Sequence, residues 1–193
     1  MEININTNIL IIFILIIFFS YLLYQYKYYS NIETIVSRVD NRDYNVQIRD
    51  DSQEAADLIA QVRQKLITLV DHMYKTYPSN PKVIKLKKNF NPDVLKEGID
   101  DPKYTTYTVN KGEEIVLCLR TNGQLVDINV LTFVCIHELS HIGNETIGHD
   151  DPFWEFFREL LLEAINIGVY TRYDYKAQNV QYCGMTITDS PLD

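Results

Sequence analysis

Basic residues are in short supply. Eighteen lysines and arginines stand against 26 aspartates and glutamates, a formal net charge of −8. Without a broad basic face, nucleic-acid binding is not expected. The one basic run, residues 81–88, is short, and its alternating lysines read as a solvated strand edge. Cysteines are few: Cys118, Cys135 and Cys183, an odd count in mostly apolar surroundings. That pattern argues against a disulfide framework and for reduced core thiols. Positive charge is missing from residues 1–8, which carry only Glu2, and no small-x-small cleavage site follows the apolar run after them. Both absences speak against a cleaved signal peptide. There is no internal repeat, and no low-complexity segment beyond that run.

The run itself is nearly continuous isoleucine, leucine and phenylalanine from Ile9 to Tyr24, broken by Ser20. Extended to Tyr26 it would make a helix about 27 Å long, enough to cross a bilayer core. Tyr21, Tyr24, Tyr26, Tyr28 and Tyr29 crowd one end, as an interfacial aromatic belt would. Lys27, Arg38 and Arg42 all follow the run. The positive-inside rule therefore predicts a single-pass protein with residues 1–8 outside, a transmembrane helix over 9–26, and the rest of the chain in the cytosol. Asn144-Glu-Thr146 is a glycosylation sequon, and a lumenal domain would risk a glycan there. Residues 27–50 read as a polar linker with some β-type alternation at Tyr44–Ile48. Residues 51–193 suffice for one α+β domain with its own core.

Histidines are also scarce, four in all, yet His137, His141 and His149 fall within thirteen residues. Residues 137–141 read His-Glu-Leu-Ser-His. On a helix His137 and His141 lie on one face, one turn apart, where two imidazoles can hold one metal ion. Glu138 is placed to reach a water on that metal. The surrounding stretch from Val130 is mostly apolar and predicts a buried helix, with Gly143 placed to end it in a left-handed cap. A turn at Gly148 would bring His149 back over the helix. Asp150 or Asp151 then caps a second helix opened by Pro152 and running through Phe153 and Trp154 to about Ile165. Asp150 could instead orient a ligand imidazole as its hydrogen-bond partner.

Upstream, Ser52 is a plausible cap for a helix with apolar residues at Leu58, Ile59, Val62, Leu66, Leu69, Val70 and Met73, ended by Pro78. His72 on that helix reads as a surface residue. Residues 103–110 and 113–120 read as strands, the second followed by an Asn122-Gly123 turn. A strand just ahead of the metal helix can offer an open edge to an extended substrate backbone.

His137-Glu-Leu-Ser-His141 followed by His149-Asp-x-x-Phe153-Trp154 resembles the WLM and SprT-like group of zinc metallopeptidases, mainly over residues 114–168. The chain looks closer still to the single-span metallopeptidases of large double-stranded DNA viruses, from about residue 44 to the C-terminal Tyr182–Leu192. The resemblance implies a zincin-like α+β domain with a mixed sheet, zinc as cofactor, a protein or peptide substrate, and a host or virion membrane. It implies His149 as third ligand, although the gap from His141 is eight residues where WLM-type sequences have six. Glu163, in the apolar stretch of the second helix, is the substitute if the longer loop takes His149 away. The longer metzincin signature fails, because Asn144 and Ile147 stand where it wants glycine and histidine. No ubiquitin-related module is visible, so roles in DNA–protein crosslink repair do not transfer.

The expected chemistry is hydrolysis of a peptide bond by a metal-activated water, with Glu138 as the base. Tyr170, Tyr173, Tyr175 and Tyr182 follow the second helix, and any could steady an oxyanion. Two other readings remain open: a zinc-binding interaction domain that cleaves nothing, and a crosslink-repair protease acting near DNA. The acidic balance and the apolar run weigh against the second of these.

Overall fold

The computed structural model of the chain describes residues 7–29, 31–99, 105–146 and 148–193. The apolar run forms helix α1 (Thr7–Tyr29), whose stretch Ile9–Tyr26 is long and apolar enough to cross a membrane. None of that stretch is buried against the rest of the protein. So continuous an exposed apolar surface is foreign to a water-facing helix. The segment expected ahead of it falls largely outside the described residues.

The expected linker is folded. Strand β1 (Ile32–Val36) pairs antiparallel with β2 (Asp43–Gln47). Composition hides this hairpin because its turn is mostly polar and β2 turns only two apolar residues, Tyr44 and Val46, inward. It docks on helix α2 (Ser52–Thr76) through buried Asp57, which accepts from the Ser37 hydroxyl at 2.9 Å and from Arg38 N–H and Nε at 2.7 Å each. The helix follows its predicted stripe: Ile59, Val62, Leu66, Leu69, Val70 and Met73 are buried at helical spacing. Ser52 is not its cap. Its hydroxyl is turned to the hairpin side, within hydrogen-bond reach of Glu33 and of the Gln47 and Arg49 carbonyls.

Residues 81–88 are not a strand edge. They belong to helix α3 (Pro81–Asn89). Asn80 caps it by accepting from Lys82 N–H at 2.9 Å, and Pro81 sits at its first position. Val83 and Leu86, three apart, are its buried residues, so the lysines follow a helical face rather than a two-residue alternation.

A small mixed sheet follows, in the order β3 (Leu95–Glu97), β5 (Glu114–Leu117), β4 (Tyr107–Val109). β3 is parallel to β5 and β4 antiparallel to it. The strand expected to offer an open edge is therefore the central one, paired on both sides, and β4 is an outer strand. Behind the sheet, Arg120 is buried between Glu97 and Asp51, the latter at 2.6 Å. Strands β6 (Arg120–Thr121) and β7 (Gln124–Leu125) close on Asn122 and Gly123, both at positive φ, the hairpin turn the Asn-Gly pair predicts.

Helix α4 (Ile128–Gly143) carries the His-Glu-Leu-Ser-His residues and packs against α2, α3 and α5 (Asp151–Asn166) as well as β4. Asp127 caps it, accepting from Asn129 N–H at 2.8 Å. Gly143 is the last residue of α4, but its reason is room and not handedness. A Cβ there would lie 2.4 Å from Phe156 Cε1 and 3.0 Å from the Lys82 carbonyl. The core runs without a break from α2 and the sheet to α4 and the aromatic face of α5.

A last hairpin, β8 (Val180–Tyr182) with β9 (Met185–Ile187), lies beside β6. Here the reading of the cysteines is overturned: Cys118 and Cys183 form a disulfide across 65 residues of sequence, and only Cys135 is free and buried. The odd count reflects one bond and one core thiol. Apolar surroundings suit either, and the pairing is set by where β8 packs.

Candidate metal centre

One turn of α4 separates His137 from His141, and their Nε2 atoms stand 3.2 Å apart. His149 arrives from the loop with its Nε2 3.1 Å from that of His137. The ligand atoms of all three histidines lie within 4.8 Å of one another. Tetrahedral zinc with nitrogens at about 2.0–2.1 Å needs nitrogen pairs about 3.3 Å apart. The single proton or lone pair on His137 Nε2 can serve only one of its two neighbouring nitrogens, whereas a cation serves all three. The donor set therefore fits a metal ion.

Burial keeps the His137 and His141 imidazoles neutral. Burial lowers the His137 pKa to about 3, helped by His141 and His149, and burial lowers that of His141 to about 4. Neutral nitrogen is the form that binds metal. Aromatic rings hold the imidazoles in place: Phe153 lies 4.4 Å from the His141 ring, Phe157 5.3 Å from His137, and Trp154 5.6 Å from His149. All three come from the first turns of α5, so the apolar helix that follows the loop is also the wall of the site.

The longer gap before His149 is absorbed in a pinned loop. Buried Asn144 donates to Thr146 Oγ1 at 2.8 Å and to Asp150 Oδ1 at 3.1 Å. Lys85 and Lys111 each place Nζ 2.9 Å from the Asn144 carbonyl, the negative end of α4. Gly148 sits at φ 109°, a conformation that side chains rarely adopt. Asp150 does not orient an imidazole. It caps α5, accepting from Phe153 N–H at 3.0 Å, and ties down Thr146 at 2.5 Å. An aspartate just before a helix meets unpaired N–H groups first, and those take its oxygens.

Glu163 is likewise engaged elsewhere. It meets His72 Nε2 at 2.7 Å and accepts from the Tyr77 hydroxyl at 2.5 Å, joining α5 to α2. His72, expected at the surface, is thus partly buried and hydrogen-bonded to Glu163. The longer loop did not carry His149 off, so nothing leaves a vacancy for Glu163.

A cleft of about 1530 Å³ opens over the triad. Glu138, beside His137, lines it and is nearly fully buried; burial raises its pKa to about 7, with the Thr108 hydroxyl pulling the other way. β4 forms one side of the cleft, and the C-terminal residues 185–191 form another. Among the four tyrosines after α5, Tyr182 is the one that lines the cleft. Its hydroxyl is taken: it donates to the Cys118 carbonyl at 2.9 Å and meets Thr106 Oγ1 at 2.5 Å. Sequence reasoning missed Thr108, Lys111 and the C-terminal wall. The apolar residues at the start of α5 were in view, but not as a casing for the imidazoles.

A family model of the WLM domain matches residues 44–190. An uncharacterized protein of Acanthamoeba polyphaga mimivirus is 32% identical over 169 residues, covering 84% of this chain and 86% of the relative. Another uncharacterized protein, from Invertebrate iridescent virus 6, is 27% identical over 124 residues, covering 62% of this chain and 68% of its own length. Among solved structures, Wss1 from Saccharomyces cerevisiae is 22% identical with a TM-score of 0.47, covering 64% of this chain and 86% of that one. The resemblance to the WLM group and to proteins of large DNA viruses is borne out.

Proposed function

The chain belongs to the WLM family, whose domain is metallopeptidase-like, and on that premise we propose that it is a membrane-anchored zinc peptidase. One observation carries the reading: three imidazole nitrogens converge within 4.8 Å at the floor of an open cleft that Glu138 also lines. A site built only for structure normally fills its fourth position with protein and has no use for a buried carboxylate beside it.

His137, His141 and His149 would hold the metal. Zinc bound there would supply Lewis acidity toward a peptide carbonyl and bring a water's pKa near neutrality. Glu138 takes the proton of the attacking water on a carboxylate oxygen and returns it to the leaving amine. A group whose proton affinity lies close to neutral pH suits both transfers. The substrate is a protein or peptide, held extended along the outer edge of β4.

Anchoring through residues 9–26 is supported by the length, uniformity and exposure of that stretch. The flanking charges support a domain on the cytosolic side of a host or virion membrane. The Cys118–Cys183 bond weighs the other way, because such bonds persist mainly in oxidising compartments. Thiol alkylation in sealed membranes, with and without a permeable reductant, decides the side.

The test uses the full chain in detergent, wild type against Glu138→Gln. We expect one zinc per chain in both, and cleavage of a denatured protein by the wild type alone, the variant being about 100-fold slower or worse. Equal cleavage by the two proteins would overturn the assignment. Zinc without cleavage by either would hand the site to a non-catalytic interaction domain.

A further inference from the structure

The side-chain hydrogen bond that reaches the Glu138 carboxylate comes from Thr108, whose Oγ1 lies 2.8 Å from Oε2. Thr108 is the middle residue of β4 and pairs with Ile115 on β5. A strand and a helix are thereby joined at the carboxylate that follows His137. Two features make this bond a constraint. Threonine is β-branched and stiff at χ1, so the paired strand fixes where its hydroxyl points. Glutamate has three rotatable side-chain bonds, and a nearly buried carboxylate without a donor would seek another partner.

We propose that Thr108 is a positioning residue: its hydroxyl holds the Glu138 carboxylate in the orientation that serves proton transfer. This deepens the peptidase reading and rests on it. The strand whose outer edge receives the substrate backbone then also sets the base. Docking and base alignment share one element, and removing the hydroxyl should touch the chemical step more than binding.

Thr108→Val keeps the branched shape and the strand preference and removes the donor. Thr108→Ser keeps the donor. In the full chain we expect Thr108→Val to lower kcat about tenfold or more, with KM within about threefold, and zinc content and melting temperature close to wild type. Thr108→Ser should recover most of the lost kcat. A second readout needs no turnover. The carboxylate infrared band assigned to Glu138 by difference against Glu138→Gln should shift in Thr108→Val and return in Thr108→Ser. An unshifted band with wild-type kcat in Thr108→Val overturns the proposal. So does an equal loss in both variants, which would mark a merely structural role. If the wild type cleaves nothing while the band still shifts, the peptidase reading fails and the hydrogen bond stands without a catalytic task.

Discussion

The cleft has two walls built on different principles. On one side stand α4 and α5, joined through Phe153, Phe156, Phe157, Leu160 and Leu161, all at 0–1% exposure. On the other stands the C-terminal wall: two strands of three residues each and a tail, with Met185 47% exposed. The helical wall is held by apolar burial, which is non-directional and spread over many contacts, so no single bond is decisive. The C-terminal wall sends only Tyr182 and Ile187 fully into the core and leans more on a few directional ties. These are the Cys118–Cys183 bond, the Tyr182 hydroxyl on the Cys118 carbonyl, Cys183 N–H on Thr121 Oγ1 at 2.9 Å, and Arg172 on the Leu192 carbonyl at 2.7 Å. Metal geometry, which tolerates little error, sits on the first. The cleft lining from Met185 to Pro191 sits on the second.

The comparison breaks most sharply at the helical wall. His137 is the histidine whose Nε2 lies near both others, at 3.1 and 3.2 Å. His137→Ala should strip the zinc and abolish cleavage, because two nitrogens remain where three are needed. Metal analysis after dialysis checks this. Full zinc occupancy in His137→Ala would mean that the triad is not the binding site.

The second test loosens the other wall. Cys183→Ser, or full reduction of the wild type, removes a crosslink across 65 residues. We expect stability to fall by about 2–4 kcal/mol, chiefly through the freed unfolded chain. Zinc content should hold, and KM for a peptide should rise severalfold as residues 185–191 lose their anchor. Calorimetry and metal analysis on the same sample separate the two walls. Zinc lost together with the disulfide would show that they are one mechanical unit, and the contrast drawn above would be wrong.

What could be read from the sequence follows the range of the interactions. His137, Glu138 and His141 were legible because one helical turn fixes their relation, and the start of α5 because Asp150 and Pro152 act within a few residues of themselves. The return of His149 was suggested by the Gly148 turn and by the family resemblance, but the loop that places it is held by Lys85 and Lys111 from other elements. The small mixed sheet matched expectation in kind, yet which strand is outermost depends on pairing between residues far apart in sequence. The disulfide is the extreme case. Nothing near Cys118 or Cys183 encodes that β8 will pack beside β6. Helix α3 carries a local start signal, Asn80 before Pro81, which its closely spaced lysines mask.

The smallest expected effect sharpens the ligand assignment on the helical wall itself. Glu163 lies on α5, the helix that walls the triad, but its carboxylate faces α2. The Tyr77 hydroxyl, then His72, lower its pKa below the ordinary carboxylate range. A carboxylate depressed in the folded state stabilises the fold above its unfolded pKa, and that contribution is lost as pH falls through the folded value. Glu163→Gln should therefore cost on the order of 1 kcal/mol at neutral pH, from weakened hydrogen bonds at a partly exposed site. The gap to wild type should narrow as pH drops below about 4, where the unfolded carboxylate protonates first. Zinc content and kcat should not move. A variant that loses zinc would make Glu163 a ligand after all, and the contact with His72 would then be an alternative to the metal rather than a brace between helices.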